Sequence, residues 1–493
     1  MMNKTDDINI FGLTDCHQEA RKLCTLFSLI KKNTFKKGKN TLVCDCGDLF
    51  KGIYDRQLCV NSYLKLRQAL PEAKIVFALG NNDFGFNQEN LIYLKETASI
   101  FNKANIHVLC ANLFKNETLN RPKWVDPYIL LDIAGKKILV TAFCINYIKL
   151  QKYGLQLRNI NESFELLSDT IKHIAPDAFI VLSHSLLNNT LQLYETAKKC
   201  GINIDLIIGG HEHSPIENTA EKNIYYPQAF SKNVIKFCCR FDNKSAIITK
   251  TAEFYSKGNQ PDEEFLPELT EFEDKSGLNI PIAHSTINLE KRYSDPCSLG
   301  TFIADTMRAV AKTDIAFFST GYTSHALRFE KDKILTNYNL ERAISATVAL
   351  QTMVLHADDI KDIFNNALRN RYLQTSGNTR FLQCSQNITI ICFKNSQNWG
   401  TVKQIYINGN KLLNENAEPL DKEETFTCAI DPFIASGELG FDVLRKISKD
   451  TLMQENKLVR IKDVFVKAII EAPKKYPEGY EYPSFKLIDE SAE

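Results

Sequence analysis

Residues 205–213 read Asp205-Leu206-Ile207-Ile208-Gly209-Gly210-His211-Glu212-His213. A short apolar run closed by two glycines and two histidines predicts a buried strand with chemistry at its carboxyl end. The same arrangement recurs toward the N-terminus. Ile8–Leu13 runs into Thr14-Asp15-Cys16-His17, and Thr41–Cys46 into Gly47-Asp48. Lys74–Leu79 is followed by Gly80-Asn81-Asn82-Asp83, and Ala178–Leu182 by Ser183-His184. Between many of these runs lie segments with helical spacing, such as Glu19–Lys32 and Tyr54–Leu70. Strand and helix patterns in alternation predict βαβ units and a largely parallel sheet covered on both faces.

The alternation fades after Phe254. Residues 255–290 carry Gly258, Pro261, Pro267 and an acidic run from Asp262 to Asp274, which reads as a linker. A second α/β pattern follows, with helical spacing at Leu299–Ala311 and Ile360–Asn370. Strand-like runs lie at Asp314–Ser319, Phe381–Phe393 and Thr425–Ile430, and a terminal helix at Ile461–Ala472. The expected division is 1–254, a linker 255–290, and 291–493.

Composition narrows the class. Sixty Lys+Arg against 59 Asp+Glu leave a net charge of +1 over 493 residues, which argues against a chain that coats nucleic-acid polymers or anionic membranes. No stretch approaches the ~20 apolar residues of a membrane span. The chain starts Met1-Met2-Asn3-Lys4 with no basic and apolar leader. The 14 cysteines are scattered, several inside strand-like runs (Cys44, Cys144, Cys392, Cys428), so they read as core hydrophobes of a reducing compartment. A cytoplasmic protein is expected.

In an open α/β sheet, functional groups collect at the carboxyl ends of the strands. Five strand ends here bring Asp15, His17, Asp48, Asn81, His184, His211 and His213 to one rim. Carboxylate, amide and imidazole donors bind divalent metals such as Zn²⁺ or Mn²⁺. Seven ligands exceed one tetrahedral ion and suit two ions sharing a carboxylate, a standard device for hydrolysing phosphate esters.

Asp15-x-His17, Gly47-Asp48, Gly80-Asn81, His184 and Gly210-His211-x-His213 together resemble the calcineurin-like metallophosphoesterases. The chain is more closely similar to the two-domain 5′-nucleotidase/UDP-sugar hydrolase family. Ala111-Asn112-Leu113, Pro215, the helix 299–308 and the segment Asp431–Phe441 add to the likeness. The resemblance implies a four-layer αββα sandwich holding the metals and a C-terminal α/β domain holding substrate. It implies one metal on Asp15, His17, Asp48 and His213, the other on Asp48, Asn81, His184 and His211, and a hydroxide between them that attacks phosphorus. The substrate would be a small, nucleotide-like phosphoester.

The sequence departs from the family at named positions. The motif Gly-Asn-His-Glu/Asp-Phe-Asp reads Gly80-Asn81-Asn82-Asp83-Phe84-Gly85. Asn82 and Asp83 therefore stand as the catalytic candidates, and Asn82 can donate a hydrogen bond but not a proton. A nucleobase clamp would use Phe381 and Phe433. The family's Arg position is Ser324 and its ribose ligand Leu439, with Arg328 or Arg380 as replacement anion ligands. Two functions fit: a metal-dependent phosphoesterase with altered preference, or a metal-binding relative that is non-catalytic or specific for phosphodiesters.

Overall fold

The computed structural model describes residues 7–490 apart from 86, 117, 147–149, 218–221, 243–244, 293–294, 321–322, 324–327, 345–347, 374–381, 395–399 and 438–439. Two units, 1–276 and 277–493, are described one at a time.

The first unit runs β1 (Ile8–Leu13), α1 (Ala20–Lys32), β2 (Thr41–Asp45), α2 (Arg56–Ala69), β3 (Lys74–Ala78), α3 (Gln88–Lys103), β4 (Ile106–Leu109), β5 (Leu113–Lys115), β6 (Tyr128–Ile133), β7 (Lys136–Cys144), β8 (Leu155–Leu157), α4 (Ile160–Ile174), β9 (Ala178–His184), α5 (Leu187–Lys199), β10 (Leu206–Gly210), β11 (Ile224–Tyr225), β12 (Asn233–Asp242), β13 (Ser245–Tyr255) and α6 (Leu266–Ser276). These strands make two main sheets, ordered β13-β12-β1-β2-β3-β4 and β11-β10-β9-β7-β6. Alternation alone points to a single, largely parallel sheet; the structure has two mixed ones, as the αββα sandwich implied by the resemblance requires. β1 to β4 are parallel, but β12 runs antiparallel to β1, and β6 antiparallel to β7.

Side-chain alternation explains the layering. On β7, Ile138, Val140 and Ala142 face a core shared with Ile10, Leu42, Val76 and Ile235 of the other sheet. Leu139 and Phe143 point the other way, onto Phe164 and Leu167 of α4 and Leu193 of α5. The outer face of the six-stranded sheet is covered through Phe27, Tyr63, Phe77 and Phe101, whose rings meet edge-on or tilted at 4.9–5.8 Å. The result is helix, sheet, sheet, helix. Local signals start the helices: Asp55 caps α2 through Gln57 N–H at 2.7 Å, and Asn159 caps α4 through Asn161 N–H at 2.8 Å.

The segment expected as a linker divides between the units. Its first part forms α6, which docks on the first unit. Glu273 is 3% exposed and accepts Arg21 Nε and Nη2 at 2.7 and 2.6 Å and Tyr54 Oη–H at 2.6 Å. Its later residues, Pro281–His284, pair with Ile334–Thr336 of the second unit. Arg21→Ala would take the guanidinium from a buried carboxylate that also accepts from the tyrosine. It should cost about 3 kcal/mol, the low end for such a loss because Arg21 is a third exposed. Urea unfolding reads this, and adding Glu273→Gln should restore part of it.

The second unit has a five-stranded sheet in the order Leu382–Cys384, Ile315–Ser319, Thr425–Ile430, Gln351–His356, Asp450–Thr451. Alternation again sets its covers. Ala316 and Phe318 pack with Leu299, Ile303 and Met307 of the helix Ser298–Ala311 and Phe465 of Ile461–Lys475. Ile315 and Phe317 pack with Ile360, Phe364 and Leu368 of the helix Ala357–Leu373. The run expected as one strand at Phe381–Phe393 splits, because a turn closed by Ile388 N–H on Ser385 O sends Ile388–Lys394 into a second sheet with Gly400–Ile407 and Lys486–Glu490. All 14 cysteines are unbridged, and all but Cys200 are buried. No helix among the described residues is long and apolar enough to cross a membrane.

Candidate metal centre

β1, β2, β3, β9 and β10 end on one rim, and each delivers polar groups to it. The loop after β1 keeps bonding along the loop after β2: Asp15 N–H to Gly47 O at 2.8 Å, His17 N–H to Asp48 O at 2.9 Å. On the other sheet, Gly210 and His184 are register partners. Gly80 permits the closest approach. A Cβ there would lie 2.3 Å from Asp48 Oδ1 and 2.7 Å from His184 Cε1.

The seven residues singled out from the sequence come together. Donor atoms of Asp15, His17, Asp48 and His213 lie within 4.8 Å of one another, as do those of Asp48, His184 and His211. Asp48 belongs to both groups. Asn81 Oδ1 stands 3.2 Å from His184 Nε2 and 2.7 Å from His211 Nδ1, so it joins the second. The residues around fix the ligands' orientation. His184 Nδ1 lies 2.7 Å from Cys46 O, which leaves Nε2 as the ligating nitrogen. Thr14 Oγ1 donates to Asp15 Oδ2 at 2.8 Å, and His211 N–H donates to the same oxygen at 3.0 Å.

Five of these seven residues adopt left-handed backbone: Asp15 (φ 49°), His17 (49°), Asp48 (61°), His211 (78°) and His213 (60°). Non-glycine residues avoid that region, so the loops around them must impose it.

The donors suit divalent cations. His17 Nε2 and His213 Nε2 face each other at 3.0 Å. Asp15 Oδ1 is buried and accepts no hydrogen bond, yet it lies 3.1 Å from His213 Nε2 and 3.5 Å from His17 Nε2. Lone pairs converging in this way call for positive charge between them, and an oxygen–nitrogen set without thiolate matches Zn²⁺- or Mn²⁺-type ions. The electrostatics agree. Burial would raise Asp15, but His213, His17 and His184 hold it well below the usual carboxylate range. Asp48 is likewise held low against burial, chiefly by His184. Against the same burial, Asp48 and Asp15 push His184 up to about 10, whereas burial and the His184 charge push His211 down to about 3.

Residues 8–215 match the calcineurin-like phosphoesterase family model, and residues 279–446 match the 5′-nucleotidase C-terminal domain. The chain is a two-domain relative of the 5′-nucleotidases. Among curated relatives, an apyrase from Aedes albopictus is 23% identical over 83% of this chain and 77% of its own length. A 5′-nucleotidase precursor from Thermus thermophilus is 18% identical with a TM-score of 0.72, covering 98% of this chain and all of that one. The sulfate thiohydrolase SoxB from the same organism reaches 0.73 at 12% identity, over 99% of this chain and 97% of that one. At these identities the structures speak for the fold alone, and chemistry has to be argued from the site.

Against the 5′-nucleotidase pattern, the two catalytic candidates take different places. Asn82 is at the centre: its N–H donates to Asp48 Oδ1 at 2.7 Å and its Nδ2 to Asp48 Oδ2 at 2.6 Å. Asp83 faces backbone instead. Its carboxylate accepts the N–H groups of Gly80 (2.8 Å), Asp48 (2.9 Å), Leu49 (2.8 Å) and Phe50 (3.2 Å), clamping the β2 loop to the β3 loop. Burial and the Asp48 charge raise it to about 7. Glu212 is a supporting residue that sequence reading passed over. Its carboxylate caps α5 through Leu187 N–H at 2.6 Å, tying the His211–His213 loop to the segment after His184. Its position between two ligand histidines was the available signal.

The substrate-side candidates are less assembled. Phe433 is half-buried on the turn Pro432–Ala435, held by Asp431 and packed against the second unit's core. Arg328 is described in backbone only, paired with Glu290. Arg380 and Phe381, with Ser324 and Leu439, lie outside the described residues.

Proposed function

We propose that this chain is a metal-dependent hydrolase of phosphate esters working with two divalent cations, Zn²⁺- or Mn²⁺-like, on small nucleotide-like substrates. The observation that carries this reading is the pair of donor clusters sharing Asp48. Two divalent cations bound there would lower the pKa of water and neutralise charge developing on phosphoryl oxygens. The chain's own part is to hold that geometry. Cys46 O fixes the His184 ring, Asn81 Oδ1 joins the second cluster, and Asn82 grips both oxygens of Asp48. Phe433, with Phe381, is proposed to flank a base, and Arg328 or Arg380 to meet an anionic group. The names of curated relatives, an apyrase and a 5′-nucleotidase-related protein, support a nucleotide substrate. The buried, unbridged cysteines support a reducing, cytoplasmic setting.

The test is reconstitution of the full chain with Mn²⁺ or Zn²⁺, elemental analysis, and hydrolysis of aryl phosphate monoesters and diesters alongside nucleoside mono- and diphosphates. Two ions per chain with turnover supports the reading. A second reading, a metal-binding relative with little turnover, is favoured by Asn82, whose amide has no proton to transfer. Full metal occupancy with no hydrolysis of any of these compounds would select it.

A further inference from the structure

In the turn that follows β3, the residue set against Asp48 is an amide. Asn82 spends both its N–H and its Nδ2 on the Asp48 carboxylate, at 2.7 and 2.6 Å. Its Oδ1 is buried and accepts no hydrogen bond, and neither that oxygen nor the second Nδ2–H can hand a proton to a leaving group. Three residues on, Gly85 closes the turn with its N–H on Asn82 O at 3.1 Å and has φ +62°. A Cβ on residue 85 would meet Asn90 Cβ at 2.4 Å, Nδ2 at 2.5 Å and Cγ at 2.7 Å.

That obstacle is rooted, because the first atom met is a Cβ rather than the tip of a flexible chain. Asn90 sits in the first turn of α3, and its N–H is held at 2.8 Å by the helix cap, Asn87 Oδ1. A side chain at residue 85 would have to displace the start of that helix. Residue 82 therefore has no neighbour at 85 able to orient an imidazole or carry an acid.

We propose that Asn82, Gly85 and Asn90 form a specificity device that restricts this site to phosphoryl compounds whose leaving group departs as a stable anion. Aryl phosphates and phosphoanhydrides belong to that class, and alkyl monoesters such as nucleoside 5′-monophosphates do not. The inference rests on the phosphoesterase reading given above. In the step concerned, water forms the new P–O bond and its proton passes to solvent. The old P–O bond breaks with its electron pair going to the leaving oxygen. An aryloxide or phosphate accepts that pair unaided, whereas an alkoxide needs a proton at the same moment. A positioned acid is typically worth ~10²–10⁴-fold.

The experiment is a leaving-group series on the Mn²⁺-loaded full chain, from nitrophenyl phosphates through nucleoside diphosphates to nucleoside 5′-monophosphates. Wild type should favour the first two classes over the third by at least ~10² in kcat/KM. N82H/G85D should melt earlier without narrowing the gap. N82H/G85D/N90G should recover part of the melting temperature, the left-handed φ at residue 85 keeping the rest, and narrow the gap at least ~10-fold. N82H/G85D/N90A should not, since it keeps the offending Cβ. A readout free of turnover is the melting temperature of G85A, which should fall and be partly restored by adding N90G. Equal wild-type rates across the series would overturn the proposal. So would an N82H/G85D protein as stable as wild type with the gap already narrowed. A chain holding both ions that hydrolyses none of the series would instead overturn the phosphoesterase reading.

Discussion

Asp48→Asn should remove most of the bound metal from both clusters at once. Asp48 is the residue common to the two groups of donors, and its Oδ2 lies 3.3 Å from His184 Nε2 and 3.7 Å from His17 Nε2. An amide in its place loses the negative charge that both cations would share. It also sets one donor against another, because Asn82 Nδ2 already points at that oxygen. After reconstitution, elemental analysis should fall from roughly two ions per chain to below one. Hydrolysis should drop by more than the ~10²-fold typical of losing a residue that merely supports a ligand. Loss of one ion with the other fully kept would show that the carboxylate is not shared.

Asp83→Ala should strongly destabilise the first unit. It strips the acceptor from four backbone N–H groups in two loops. Each buried donor left unpaired costs about 1–3 kcal/mol, and water can rescue only some of them. A net loss of about 3–5 kcal/mol is expected in guanidinium unfolding, with metal affinity falling because Asp48 itself hangs on this clamp. Asp83→Asn should lie between, since its oxygen still accepts while its amino group faces donors. A variant within ~1 kcal/mol of wild type would remove the clamp from the account.

Much of the centre was legible because each ligand ends an apolar run, and a sheet sends such ends to one rim. The seven residues from Asp15 to His213 needed no knowledge of packing. What was hidden depended on partners distant in sequence. Asp83 looks catalytic in a motif, while its hold on the N–H groups of Leu49 and Phe50 is visible only in the structure. The acidic stretch near 262–274 reads as a linker, because nothing local announces that Arg21 and Tyr54 will meet Glu273. Gly85 reads as a lost acid, while what favours glycine there is its left-handed φ and the nearness of Asn90 in the first turn of α3. One sheet became two because apolar alternation marks strands but not which neighbour each will choose.

The left-handed backbone of the ligand loops sets the site against the thermal stability of the chain. A non-glycine residue held there costs about 1–2 kcal/mol that glycine would not. At His17, His211 and His213 that cost is carried for the sake of an imidazole. A directed-evolution screen that heats metal-free protein and keeps the survivors should therefore drift toward glycine at these three positions. The same screen run with Mn²⁺ present should keep the histidines, since binding energy then rewards them.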